Sequence, residues 1–353
     1  MVTRRVIGSV AFASALAGSA ALAGYAKRRA LSGIDPARGP EWAELHHPVR
    51  GRPVTVRSFD GTDLHAEALG PDDAPTLLLV HGYALSQHAW HYQRRDLSGD
   101  YRVVCYDQRG HGASAEAASG DYSAKALGRD FAEVLDAMVG KGHPVIAVGH
   151  SMGGMTILSF AEQFPERLGQ LDGVVLMSTA AGNVLAGGAF SAGIASLSAL
   201  RATSLGRRIP GWRRSSPGEN VGQDPADWLE EPPADLAFLL TRALGLSSTA
   251  DPAHVAFTEQ LMLECPARVK AALGPTLSSL RLDHVPPWLS MPVRVMVGDS
   301  DRLTPAGSAR RLAQAMPDAQ FVSLADAGHM APLEAHGQVS AELASFAARV
   351  LEG

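Results

Sequence analysis

The sequence predicts an α/β protein: a mostly parallel, eight-stranded sheet covered by helices on both faces, with one inserted helical cap. Three observations lead there. Short apolar runs alternate with amphipathic stretches of helical spacing, the pattern of βαβ units. One long stretch, 181–287, carries no convincing strand. Finally, the run VIAV ends abruptly on Gly149-His150-Ser151-Met152-Gly153, a small polar side chain boxed by glycines.

Of the 353 residues, 46% are hydrophobic and 19% charged, the composition of a globular protein large enough for one domain with an insertion. A net charge of −5 gives no support to a nucleic-acid partner. Cys105 and Cys265 lie far apart and outside any metal-ligand spacing, so both read as small buried hydrophobes without a disulfide. The 13 His are scattered without an HExxH pattern, and no metal or other cofactor is expected. The sequence carries no signal for oligomeric state.

In chain order, residues 1–29 differ from the rest. Arg4-Arg5 precede an uncharged Ala/Gly-rich run, Val6 to Ala26, and Lys27-Arg28-Arg29 follow. As a helix the run would be about 30 Å long at about 1.5 Å per residue, the depth of a bilayer's hydrocarbon core. A membrane anchor is the favoured reading, which makes the protein membrane-associated or part of the cell envelope. The alternatives are an export signal, because Thr3-Arg4-Arg5 resembles a twin-arginine start, and a surface helix. Residues 30–51 read as a polar linker.

From 52 to 180 the body begins with a hairpin, VTVRSF and LHAEAL about the turn Asp60-Gly61. The runs TLLLVHG, YRVVCYD, VIAVGH and GVVLMST follow as strands buried on both faces. SAKALGRDFAEVLDAMV and MTILSFAEQFP between them are helical. The insertion 181–287 reads as a cap with helices near Phe190–Leu205, Asp235–Leu246, Pro252–Glu264 and Pro266–Leu282. Its basic GRRIPGWRR and acidic DWLEEPP runs are taken as solvated faces. The core resumes over 288–353 with VRVMVGD, FVSLADAGH and a helix from about Gln338.

Gly149-x-Ser151-x-Gly153 between a strand and a helix is the nucleophile-elbow pattern, whose tight turn strains the serine and leaves no room for side chains beside it. A serine hydroxyl needs a base, and the base an orienting acid, in the chain order serine, acid, histidine. His329 follows the last strand. Asp299 and Asp301 follow the strand before it.

GHSMGG, HGY, DQRGHGAS, GDSDRLTP and AGHM together resemble the α/β-hydrolase fold superfamily, over roughly Val54–Ala180 and Met291–Leu351. Within it the likeness is to bacterial lid-bearing serine esterases and cofactor-free haloperoxidases, of an actinobacterial type. The resemblance implies the α/β-hydrolase fold and a triad of Ser151, Asp301 and His329, not a substrate. The pattern G-x-x-D-x-x-T-P falls on Gly298, Asp301, Thr304 and Pro305 and selects Asp301 over Asp299. Backbone N–H groups of Met152 and Tyr83 are the expected oxyanion hole, with Gly82 permitting close approach and His81 fixing the loop. Tyr83 and Trp90 are expected to line the substrate pocket, and His88 and His91 either to join them or to pack on the cap. Asp107, Arg109 and His111 read as braces of their loop, His150 as packing, and Met155 and Met177 as core.

The cap's apolar segments suggest an ester with a hydrophobic or lipid-like acyl group. Perhydrolysis, thioester cleavage and C–C hydrolysis use the same triad, and a ligand receptor is the non-enzymatic alternative. Serine in place of aspartate argues against epoxide hydrolase and dehalogenase chemistry, which pass through an aspartyl ester.

Overall fold

The computed structural model describes residues 39–140, 142–182 and 241–351. Eight strands form one sheet: β1 (Arg52–Arg57), β2 (Asp63–Leu69), β3 (Thr76–Val80), β4 (Arg102–Tyr106), β5 (Val145–His150), β6 (Gly173–Met177), β7 (Val293–Gly298) and β8 (Ala319–Leu324). Their order is β1-β2-β4-β3-β5-β6-β7-β8. The β1–β2 hairpin and the β2–β4 pair are antiparallel, and every other pair is parallel. Connections run to opposite sides of β3, so the carboxyl ends of β3 and β5 flank the switch point where open α/β sheets bind ligands.

The central strands read as continuous apolar runs because both sheet faces are covered. Leu78, Val80, Val104, Ala147, Val174, Leu176 and Val295 point into one layer, with α3 (Ala124–Met138) and α4 (Met152–Gln163). The alternate residues Leu77, Leu79, Val103, Cys105, Ile146, Val148 and Val175 point into the other. There they meet α2 (His91–Leu97) and the C-terminal α9 (His336–Leu351). Leu77, Leu78 and Leu79 are at most 1% exposed, and each such side chain contributes about 1.5–3 kcal/mol of burial. Burial raises the Cys105 thiol to about 12 and that of Cys265 to about 11, so both stay protonated inside the protein.

Within the expected linker, the described residues 39–51 include a short helix. Pro40 starts a helix, α1 (Pro40–Leu45), with a proline's fixed φ suited to the first turn. Leu45 is buried in a cluster with Phe257 and Leu261 of α5 (Pro252–Glu264), Tyr92 of α2 and Leu333 of α8 (Ala331–Glu334). Tyr92 donates its hydroxyl proton to Glu41 and lies 3.1 Å from His254 Nε2.

Within the expected insertion, α5 is as foreseen and α6 (Ala267–Ser279) is shorter than foreseen at both ends. The segment Phe190–Leu205, the two charged runs and the start of Asp235–Leu246 lie outside the described residues. Among the described residues no helix is long and apolar enough to cross a membrane, and the run Val6–Ala26 lies outside them. Residues 241–245 end a further helix of the insertion, and α7 (Ala306–Gln314) packs beside β7 and β8.

Candidate active site

Four loops meet at the carboxyl edge of the sheet, after β3, β5, β7 and β8, and each carries residues singled out in the sequence. Ser151 sits between β5 and α4 with φ 52° and ψ −118°, a conformation rare for any residue with a Cβ. Its backbone is held from several sides. Ser151 N–H donates to Met177 O at 2.9 Å, and the Thr179 hydroxyl donates to Ser151 O at 2.6 Å. The flanking glycines are steric requirements. A Cβ on Gly153 would lie 2.1 Å from Val80 O, and one on Gly149 2.5 Å from Gly154 N.

The Ser151 Oγ lies 2.9 Å from His329 Nε2, and His329 Nδ1 lies 3.0 Å from Asp301 Oδ2. Asp301 is 4% exposed. Its Oδ1 accepts the N–H groups of Leu303 and Thr304, both at 2.9 Å, and its Oδ2 accepts the Thr304 hydroxyl at 2.8 Å. Burial alone would raise this carboxyl. The His329 ring and the Thr304 donors outweigh it, so the group is held below the usual carboxylate range. An ionised acceptor at Nδ1 fixes the tautomer in which Nε2 has a lone pair facing the serine hydroxyl. Asp299 is exposed, and its Oδ2 accepts only the Asp326 N–H at 3.2 Å among the described residues.

The loop after β3 is braced by the loop after β4. His81 donates from Nδ1 to Gly82 O at 2.8 Å and accepts the Gln108 N–H at Nε2, 2.9 Å away. The Ala84 N–H donates to His111 Nε2 at 3.2 Å. Asp107 accepts the Gln87 and Ala113 N–H groups, and Arg109 grips Asp130 with two hydrogen bonds of 2.6 Å. These contacts push Gly82 against the elbow: a Cβ there would stand 3.1 Å from Ser151 Cβ. Tyr83, next along, reaches outward and donates its hydroxyl proton to Lys270 O of α6 at 3.0 Å. Met152 is the first residue of α4, so no carbonyl within the helix accepts its N–H, and the helix's positive end lies at Ser151. Met152 and Gly82, the residue before Tyr83, thus both adjoin the candidate nucleophile. Among the described residues no group of three or more His, Cys, Asp or Glu side chains could hold a metal ion.

Trp90 requires a correction. It is 0% exposed and packs among Leu77, Leu79 and Val148 beneath the sheet edge, its ring edge-on to His150 at 6.2 Å. The 3-10 turn Gln87–Trp90 turns it into the core, so it does not line a pocket. His91 is buried as well, and His88 is partly buried. His150 donates from Nε2 to His329 O at 2.8 Å, a bond to the loop of the candidate base. Burial, then the neighbouring His329, lowers the His150 ring to about 3 and keeps it neutral.

Two contributors were missed by the sequence reading. Thr179 has no motif to mark it. Glu334, five residues after His329, accepts the Gly328 N–H at 3.0 Å and the Ser247 N–H at 2.6 Å.

A sheet of this order, with its polar loops gathered at the switch point, defines the class: an α/β hydrolase. The chain belongs to the Alpha/beta hydrolase family, whose sequence pattern it matches over residues 77–343. It is 35% identical over 138 residues to Epoxide hydrolase 4 of Mus musculus, an alignment covering 38% of this chain and 38% of that protein. It is 33% identical over 111 residues to the bifunctional esterase/perhydrolase DCH of Acinetobacter calcoaceticus, covering 31% of this chain and 39% of the relative. The chain thus spans well under half the length of these curated relatives, and only 26% of Epoxide hydrolase 1 of Caenorhabditis elegans. Its fold matches a thermophilic esterase of Thermogutta terrifontis with a TM-score of 0.64 at 24% identity, over 84% of this chain and 98% of that one.

Proposed function

We propose that this hydrolase is a serine enzyme that cleaves carboxylic esters through an acyl-enzyme. The observation that carries the reading is the hydrogen-bonded line Ser151 Oγ, His329 Nε2, His329 Nδ1, Asp301 Oδ2, with contacts of 2.9 and 3.0 Å. Ser151 attacks the ester carbonyl as His329 takes its proton, and Asp301 stabilises the imidazolium. The oxyanion is received by the N–H groups of Met152 and Tyr83. His329 then protonates the departing alcohol, and a water molecule, activated by the same imidazole, releases the acid.

Epoxide opening fits the residue at the elbow less well. Attack by a serine oxygen on an epoxide carbon would leave an alkyl ether, which has no carbonyl for water to attack. Aspartate avoids this by forming an ester. Ser151 therefore favours acyl transfer, whatever the chemistry of the epoxide hydrolases among the relatives. Perhydrolysis, thioester cleavage and C–C hydrolysis share the triad and differ in pocket contents. Attachment to a membrane through Val6–Ala26, and with it a lipid-like substrate, is a proposal that rests on the sequence alone.

The test is hydrolysis of p-nitrophenyl esters of increasing acyl length by protein lacking residues 1–30, with Ser151→Ala as control. Turnover lost in the control supports the reading. Absence both of turnover and of fluorophosphonate labelling at Ser151 refutes it and favours a ligand receptor.

A further inference from the structure

Inside the insertion, residues 243–247, the end of a helix and the bend after it, form a strap across the loops that carry the candidate acid and base. Ala243 O accepts a hydrogen bond from Arg302 Nη1 at 2.7 Å, beside Asp301. Gly245 O accepts the Met330 N–H at 3.1 Å, beside His329. Contact at the third point is tight enough to demand glycine: a Cβ on Gly328 would stand 2.6 Å from both Leu246 C and Ser247 N. Glu334 closes this crossing. One carboxylate oxygen takes the Gly328 N–H and the other the Ser247 N–H, so the same side chain grips the histidine loop and the strap. On its other side His329 is held by the His150 ring at its carbonyl.

We infer that Glu334 is a positioning residue, which sets His329 against Ser151 by clamping the histidine loop to the strap Ala243–Ser247. The inference rests on the proposed serine hydrolase mechanism and adds to it a link between cap and base. Glu334 acts through donors on either side of His329 and on the strap: the Gly328 and Met330 N–H groups, and the N–H and hydroxyl of Ser247.

The test uses Glu334→Gln and Gly328→Ala. An amide has one acceptor oxygen, so in E334Q the N–H of Gly328 or of Ser247 must face an NH2 group. G328A pushes strap and loop apart while leaving the Glu334 side chain itself unaltered. Both variants should lower kcat by about ten- to a hundredfold, since about 1 Å of misplacement can reach the upper figure. KM should stay within about twofold, and the loss should be equal for short and long acyl esters, as when an interaction specific to the transition state is weakened. Fluorophosphonate labelling of Ser151 should slow in parallel. Rates are taken per folded molecule, with the folded fraction read from melting curves. If KM rises with acyl length while labelling stays fast, Glu334 shapes the cap pocket and the inference is overturned. A fall in melting temperature alone, with kcat and labelling unchanged, also overturns it. Wild-type protein that neither turns over esters nor takes the label would refute the serine hydrolase reading and the inference with it. An active wild type with equally active variants would refute the inference alone.

Discussion

Replacing Asp301 by asparagine tests the candidate triad at its least exposed member. Oδ1 of Asp301 accepts two N–H groups, from Leu303 and Thr304, so the amide oxygen of the substituted side chain must stay there. The NH2 group is thereby forced into the Oδ2 position, 3.0 Å from His329 Nδ1. His329 can accept that bond only with a bare Nδ1, which moves its proton to Nε2, the atom facing Ser151 Oγ. In this tautomer the imidazole cannot take the serine proton, and kcat should fall about ten-thousandfold. That corresponds to about 5 kcal/mol at about 1.4 kcal/mol per decade. Because shape and the two backbone bonds are kept, the melting temperature should stay near that of wild type. Asp299→Asn, on an exposed residue, should leave turnover within about threefold, as surface substitutions do. The assay is ester hydrolysis alongside thermal melting of all three proteins. Asp301→Asn with nearly wild-type turnover, or an inactive Asp299→Asn beside it, would refute the reasoning.

Gly153→Ala should destabilise by about 1–3 kcal/mol or more and abolish turnover, because the new Cβ meets a backbone carbonyl of β3 that cannot yield independently. A variant with wild-type melting and activity would refute that packing argument. Trp90→Phe should cost about 1–2 kcal/mol through the void it leaves, and leave KM unchanged at every acyl length. A KM change that grows with acyl length would return Trp90 to the pocket. Stability should also fall on the acid side. Burial lowers His81 well below its usual value, His111 to about 4 and His150 to about 3. In the unfolded chain these rings titrate near pH 6.5. Below that value the unfolded state binds protons the folded state refuses, so stability is full above about pH 6.5 and declines as pH falls toward 4. The urea midpoint measured from about pH 7 down to about pH 5 should drop, and a flat profile over that range would contradict it.

Residues whose surroundings are set by the sheet were legible, and residues placed by long-range packing were not. TLLLV and VIAV announce buried strands because both of their faces are covered. VIAVGH is β5 as it stands, whereas TLLLVHG overruns β3 by His81-Gly82 and YRVVCYD overruns β4 by Tyr101 and Asp107, because nothing local marks where those ladders end. Ser151 stands out because elbow geometry restricts its neighbours to glycine, and Asp301 and His329 because each follows a strand in the chain order serine, acid, histidine. Trp90 misled, since an aromatic beside an oxyanion loop looks like a pocket wall until the 3-10 turn before it is known. The six residues of α1 are too few for helical periodicity, although Pro40 and Glu41 offered the chemistry of a helix start. Glu334 could not be found at all, because its partners Gly328 and Ser247 lie on separate segments and its role exists only once they meet.

The strained serine shows why so many contacts converge here. A residue with a side chain at φ 52° costs about 1–3 kcal/mol and persists only when its surroundings over-determine it. At Ser151 that task falls to backbone and small side chains. Met177 O takes its N–H, the Thr179 hydroxyl holds its carbonyl, and the glycines let β3 and the start of α4 close around it. His329 has no comparable elbow. It lies on a loop, and loops are positioned only as well as their tethers allow. His150 at its carbonyl, Gly245 at the following N–H and Glu334 at the preceding one supply three tethers, two of them involving the strap from the insertion. The candidate nucleophile is thus held by the sheet, while the candidate base is tethered partly by residues 243–247 of the insertion.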